Sequence, residues 1–108
     1  MSSELTPLEK ELVLLTASEN WPDFRMDGLQ VLKRENTGAG RFVYLGDVYK
    51  QALPNGMHSA QGRIIQMQGV KNGLGFVISV VSSRINHIEM FTYGNVAWDG
   101  REDSWSIL

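Results

Sequence analysis

LGFVISVVSSRINHIEMFTY, residues 74–93, decides the fold. Two runs rich in β-branched and aromatic residues, 74–81 and 84–93, are separated only by Ser82-Ser83. A two-residue connection between such runs is the signature of a tight antiparallel hairpin. Alternation along the second run places His87, Glu89, Phe91 and Tyr93 on one face of its strand and the apolar Ile88 and Met90 on the other. Neither run approaches the roughly 20 apolar residues needed to cross a bilayer as a helix.

The same chemistry recurs upstream. LQVLKREN (29–36) and RFVYLGDVY (41–49) flank the turn-forming TGAG, which predicts a second hairpin. RIIQMQ (63–68) reads as a further strand and SWSIL (104–108) as an edge strand. Between Lys50 and Gly62, KQALPNGMHSAQG holds Pro54 and Asn55-Gly56, so it reads as the longest loop. Near the N-terminus, Thr6, Pro7 and Glu9 form a capping box with proline in the first turn, and Leu8, Leu12 and Leu15 then share one helical face. WPDFRMDG (21–28), with Pro22 at its start and Gly28 at its end, predicts a short second helix. Two helices followed by consecutive strands give an α+β domain, residues 1–108. Its two N-terminal helices should pack on a curved, mainly antiparallel, half-barrel-like sheet of five or six strands.

Composition narrows the function classes. The chain has 108 residues, no cysteine and a net charge of −2. That length suits one core, and the absence of cysteine excludes disulfides, thiolate metal sites and thiol nucleophiles. The N-terminus lacks a basic leader and a small-residue cleavage site, so a cytoplasmic protein is expected. No basic stripe is present to neutralise phosphates, which argues against direct nucleic-acid binding.

Catalytic signatures are equally scarce. His87 and Glu89 could form an acid–base pair on their shared face, but no third group stands at a diagnostic spacing. The two histidines, His58 and His87, are far apart and lack the convergent ligands of a zinc site. The glycine clusters TGAGRF and GVKNGLGF lack phosphate-loop spacing and read as turns. No catalytic residue, metal site or cofactor is therefore expected.

The stretch from Gly73 to Trp98 resembles a small bacterial α+β domain family. Its members share a Gly-x-Gly-Phe strand, a tight turn with a basic residue, and an apolar-Glu-x-aromatic-Thr-Tyr-Gly strand ending near a tryptophan. Here these features fall on Gly73, Gly75, Phe76, Arg84, Ile88, Glu89, Phe91, Thr92, Tyr93, Gly94 and Trp98. Ser83 stands where the family pattern has glycine, and Asp99 where it has proline. The resemblance implies an immunity protein of a polymorphic toxin system, such as contact-dependent growth inhibition, that neutralises a cognate toxin without catalysis. The toxin would be a basic nuclease, RNA-cleaving in preference to DNA-cleaving. The C-terminal WDGREDSW then offers partner-binding residues: Asp99, Glu102 and Asp103 to attract a basic cleft, and Trp98 and Trp105 either as anchors or, equally, as rings that close the core. Two other readings stand beside it, a small enzyme or ligand-binding domain using His87, Glu89 and Tyr93, and an adaptor that binds some other protein.

Overall fold

The computed structural model describes residues 4–94 and 96–108, so the start of the expected leader-free N-terminus, residues 1–3, lies outside the described residues. The described residues form one helix, α1 (Pro7–Asn20), and seven strands: β1 (Leu29–Asn36), β2 (Gly40–Asp47), β3 (Gly56–His58), β4 (Ile65–Met67), β5 (Val70–Val81), β6 (Arg84–Thr92) and β7 (Trp105–Ile107). They make a single sheet in the order β1-β2-β6-β5-β4-β7, with β3 paired to β5. Every pairing is antiparallel. The helix lies on one face, and the molecule is only 20 Å across its thinnest dimension. With no second layer, the opposite face of the sheet is left uncovered.

The helix starts as its sequence dictates. The Thr6 hydroxyl accepts from the Glu9 backbone N–H at 3.2 Å, and Glu9 Oε1 accepts from the Thr6 N–H at 2.9 Å. Leu8, Leu12, Val13 and Ala17 enter the core beside Val43, Ile65, Leu74, Phe76, Ile78, Ile88 and Met90 from the sheet, and Leu15 packs at its margin.

The expected second helix does not form. Residues 21–28 are two turns, closed by Phe24 N–H to Trp21 C=O and Leu29 N–H to Met26 C=O. Asp23 takes a left-handed φ of 64°. Trp21, Phe24 and Met26 all pack on the core, a spacing that one helical face does not offer. The sheet also has seven strands, not five or six, and it is open instead of half-barrel-like. The extra strand is β3, inside the stretch expected to be loop: Met57 pairs with Ser79 on β5.

The Ser82-Ser83 hairpin forms as expected, with φ of 53° and 61° at the two serines, the left-handed pair that a two-residue turn of matching twist requires. Two bulges then set which side chains face the helix. In β6 the extra residue is Asn86, opposite the Ser79–Val80 step of β5, so that Ile85 and Ile88, three residues apart, both reach the core. In β1 the extra residue is Leu32. Val31 faces inward, and regular alternation would send Lys33 after it; the bulge sends Arg34 instead. Among the described residues, no helix is long and apolar enough to cross a membrane.

Candidate functional site

The C-terminal segment is fixed from beneath by one buried guanidinium. Arg41, 5% exposed on β2, donates from Nη1 to Glu102 Oε2 at 2.5 Å and to Glu9 Oε2 at 3.3 Å. Its Nε donates to Asn36 Oδ1 at 2.9 Å, and its Nη2 to the Gly100 carbonyl. The same guanidinium lies 4.8 Å from the centre of the Trp98 ring. Glu9, fully buried, is also gripped by Arg34 through bonds of 2.9 and 2.6 Å. That pairing raises the Arg34 pKa above its ordinary value, the bond to Glu9 outweighing the opposing effect of burial. Glu102 accepts one further bond, from the Thr6 hydroxyl at 3.1 Å. Glu9, Arg41 and Glu102 thus close a buried ring through Thr6, with Arg34 attached to it at Glu9, and the network joins α1, β1, β2 and the C-terminal segment. Gly100 completes it: its φ is 86°, and a Cβ there would sit 3.0 Å from Asn36.

This geometry divides the five expected partner-binding residues. Trp98 is 3% exposed, its N–H donating to the Arg101 carbonyl at 2.9 Å, so it belongs to the core. Glu102 points inward to Arg41 and Thr6. Trp105 is half-buried on β7, opposite Met67 of β4. Only Asp99 and Asp103 are exposed carboxylates. Asp99 accepts from the Arg101 backbone N–H at 3.0 Å, and Asp103 pairs with the Arg101 guanidinium at 3.0 Å. Together with Gln68, Gly69, Val70, Ala97, Trp98 and Arg101 they line an open depression of about 490 Å³. Its floor is held by the buried ring below, while its two carboxylates face water. Such an arrangement can receive a guanidinium or ammonium group from outside, with Arg101 as the internal competitor.

The histidines have other neighbours. His87 lies with its ring centre 5.6 Å from that of Phe42 and 5.8 Å from that of Tyr44, and its Nδ1 is 2.9 Å from Asn86 Oδ1. Among the described residues no hydrogen bond joins it to Glu89. It belongs instead to a row of rings on the uncovered face, half-buried apart from the exposed Tyr93: Phe42 and Tyr44 stack at 6.2 Å, and Phe91 meets Tyr93 edge-on at 5.7 Å. Gly75 makes room for this second pair, since a Cβ there would come within 2.6 Å of the Phe91 ring. His58 Nε2 is 2.8 Å from the Pro54 carbonyl, and its ring packs edge-on against the buried Trp21. No group of three or more potential metal ligands converges among the described residues.

Sequence reasoning missed Arg41 and the aromatic row. The row was legible, because Phe42 and Tyr44 alternate in β2 as Phe91 and Tyr93 do in β6. Arg41 offered no local signal, its carboxylates lying 32 and 61 residues away. Compared with protein-family models, curated proteins and solved structures, the chain matches none.

Proposed function

We propose that this chain is a non-enzymatic immunity protein, which binds a cognate toxin domain and covers its active site. The observation that carries the reading is the pair Asp99 and Asp103, two exposed carboxylates on a segment whose underside is fixed by Arg41. A rigid acidic rim loses little conformational freedom on binding and is matched to a basic partner. The partner is a basic nuclease acting on RNA in preference to DNA, since its cleft must attract phosphates and an acidic inhibitor competes for the same field. In this reading Asp99 and Asp103 make the contacts with Trp105 beside them, and Trp98 and Glu102 hold the contact segment in shape. The work is done in the cytoplasm, with no cofactor and without contact to nucleic acid or membrane. Packing of His87 beside Phe42 and Tyr44, with Asn86 and not Glu89 as its hydrogen-bond partner, favours this reading over an acid–base enzyme.

The test is co-expression with the C-terminal toxin domain encoded immediately upstream. The wild-type chain is expected to restore growth, and Asp99→Asn with Asp103→Asn to weaken protection while leaving the fold intact. Failure of the wild-type chain to bind or protect against that domain, or absence of any such neighbouring gene, overturns the proposal.

A further inference from the structure

At the far end of the central hairpin the chain builds a depression from donors alone. Beyond β2 it runs past the Ser82-Ser83 turn and is tied to it twice: Leu53 N–H donates to the Ser83 carbonyl at 3.0 Å, and Ser83 N–H donates to Asn55 Oδ1 at 2.7 Å. Immediately before the first tie Ala52 takes a left-handed φ of 49°, and the two serines are left-handed as well. Three non-glycine residues in this sparsely populated region of backbone space are gathered at one place. The result is an open depression of about 330 Å³ lined by Lys50, Ala52, Ser82, Ser83 and Arg84.

Four of those five residues end in hydrogen-bond donors: an ammonium, a guanidinium and two hydroxyls. None of the four end groups makes a hydrogen bond or an ion pair among the described residues, and no carboxylate lines the depression. Elsewhere Arg25, Lys33, Arg34, Arg41 and Arg101 have carboxylates, and Lys10, Arg63 and Lys71, which form no ion pair among the described residues, do not share a depression with a second cation. Here two cations are brought to one place with nothing to neutralise them.

We propose that this depression is a binding site for a phosphate-type dianion, either inorganic phosphate or the terminal group of a small phosphomonoester. Arg84 supplies a planar fork matched to two oxygens, Lys50 a mobile point charge, and the serine hydroxyls two neutral donors. A tetrahedral dianion offers acceptors to all four at once. Chloride lacks the directed acceptors, and a lone carboxylate has two oxygens and one charge. The site is open to solvent, so its dissociation constant belongs on the order of 1 mM. A phosphomonoester acquires its second charge near pH 6 and inorganic phosphate closer to neutrality, so binding of both strengthens from pH 5.5 to pH 7.5, the ester's at the lower pH. The site lies outside the acidic depression, and the proposal does not depend on the immunity reading.

The experiment is a titration of the isotopically labelled full chain, followed through the backbone amide signals of Ser82, Ser83 and Arg84. Inorganic phosphate and phosphoserine are added in parallel, against sodium chloride at matched ionic strength. Saturable shifts confined to these residues are expected, with a weakening of roughly fivefold in each of Lys50→Gln and Arg84→Gln, the scale of an exposed ion pair. Both side chains are exposed, so the unchanged remainder of the spectrum certifies the fold. Equal affinity for the two probes identifies the free dianion as sufficient, and tighter phosphoserine binding identifies the esterified group as the preferred source. The proposal is overturned if neither probe gives a saturable shift, if chloride reproduces it, or if the double variant Lys50→Gln/Arg84→Gln titrates like the wild type.

Discussion

Replacing Glu9 by glutamine tests the buried ring. Glu9 has no exposed surface and accepts from Arg34 twice, from Arg41 and from the Thr6 N–H. Glutamine keeps one acceptor oxygen for the cap and turns an amide NH2, itself a donor, toward guanidinium donors. Removing one partner of a buried ion pair costs about 3–5 kcal/mol, because the other charge stays behind. Two features place Glu9→Gln at the lower end: the Arg34 side chain is 27% exposed and can rehydrate, and Arg41 keeps Glu102 at 2.5 Å. The expected loss is about 3 kcal/mol, against a total stability of about 5–15 kcal/mol for a domain. At about 4–8 °C per kcal/mol, the melting temperature falls by roughly 12–24 °C. Glu102→Gln should cost less, about 1–2 kcal/mol, because its side chain is 15% exposed and Arg41 retains Glu9. The double variant should lose more than the sum, since Arg41 is then buried with no carboxylate. Urea unfolding followed by tryptophan fluorescence measures all three. A loss below about 1 kcal/mol for Glu9→Gln with an unchanged denaturant slope, or strict additivity in the double variant, refutes the reasoning.

Gly40→Ala should be the most damaging small substitution in the sheet, because a Cβ there would lie 2.2 Å from the Met90 backbone carbonyl; soluble yield and a lowered unfolding midpoint report it. Ser82→Asn with Ser83→Gly should stabilise by about 1 kcal/mol, the left-handed φ values being native to Asn-Gly; a raised urea midpoint is the expected result, and a lowered one counts against the turn assignment. Asp27 has its carboxyl pKa lowered, chiefly by its hydrogen bond from Arg25, with Tyr49 adding a second. A depressed folded-state value contributes stability that is present above the unfolded carboxylate pKa and is lost as pH falls through the folded one. Carboxyl-carbon titration by NMR should therefore place Asp27 below the ordinary aspartate range in the wild type and return it to that range in Arg25→Gln.

What the sequence made legible was whatever has a short period. The β5–β6 hairpin followed from strand alternation and a two-residue gap, and α1 from its capping box and leucine spacing. The segment from Trp21 to Gly28 misled because Pro22 and Gly28 have the right identities for helix ends, while Trp21, Phe24 and Met26 are buried through turns. The bulge at Leu32, which decides that Arg34 and not Lys33 meets Glu9, leaves no mark on composition. Glu9 and Glu102 each had a sufficient local explanation, one as a cap and one as part of an acidic run, so their common attachment to Arg41 stayed hidden. Of the C-terminal residues, Asp99 and Asp103 lie in the open as their chemistry suggested, and Trp98 went to the core as large aromatics often do.

The wiring of Arg41 also sets a clock on biosynthesis. Glu102 follows Arg41 by 61 residues, and Thr6 precedes Glu102 by 96. At about 5–20 residues per second, the ribosome delivers this last carboxylate roughly 3–12 s after the guanidinium it must meet. During that interval the nascent helix and first hairpin hold Arg34, Arg41 and Glu9, one positive charge in excess, with the Trp98 ring still unmade. The early half of the chain can gather but cannot latch. The ring closes only when Glu102 arrives, and the same step fixes the segment that carries Asp99 and Asp103.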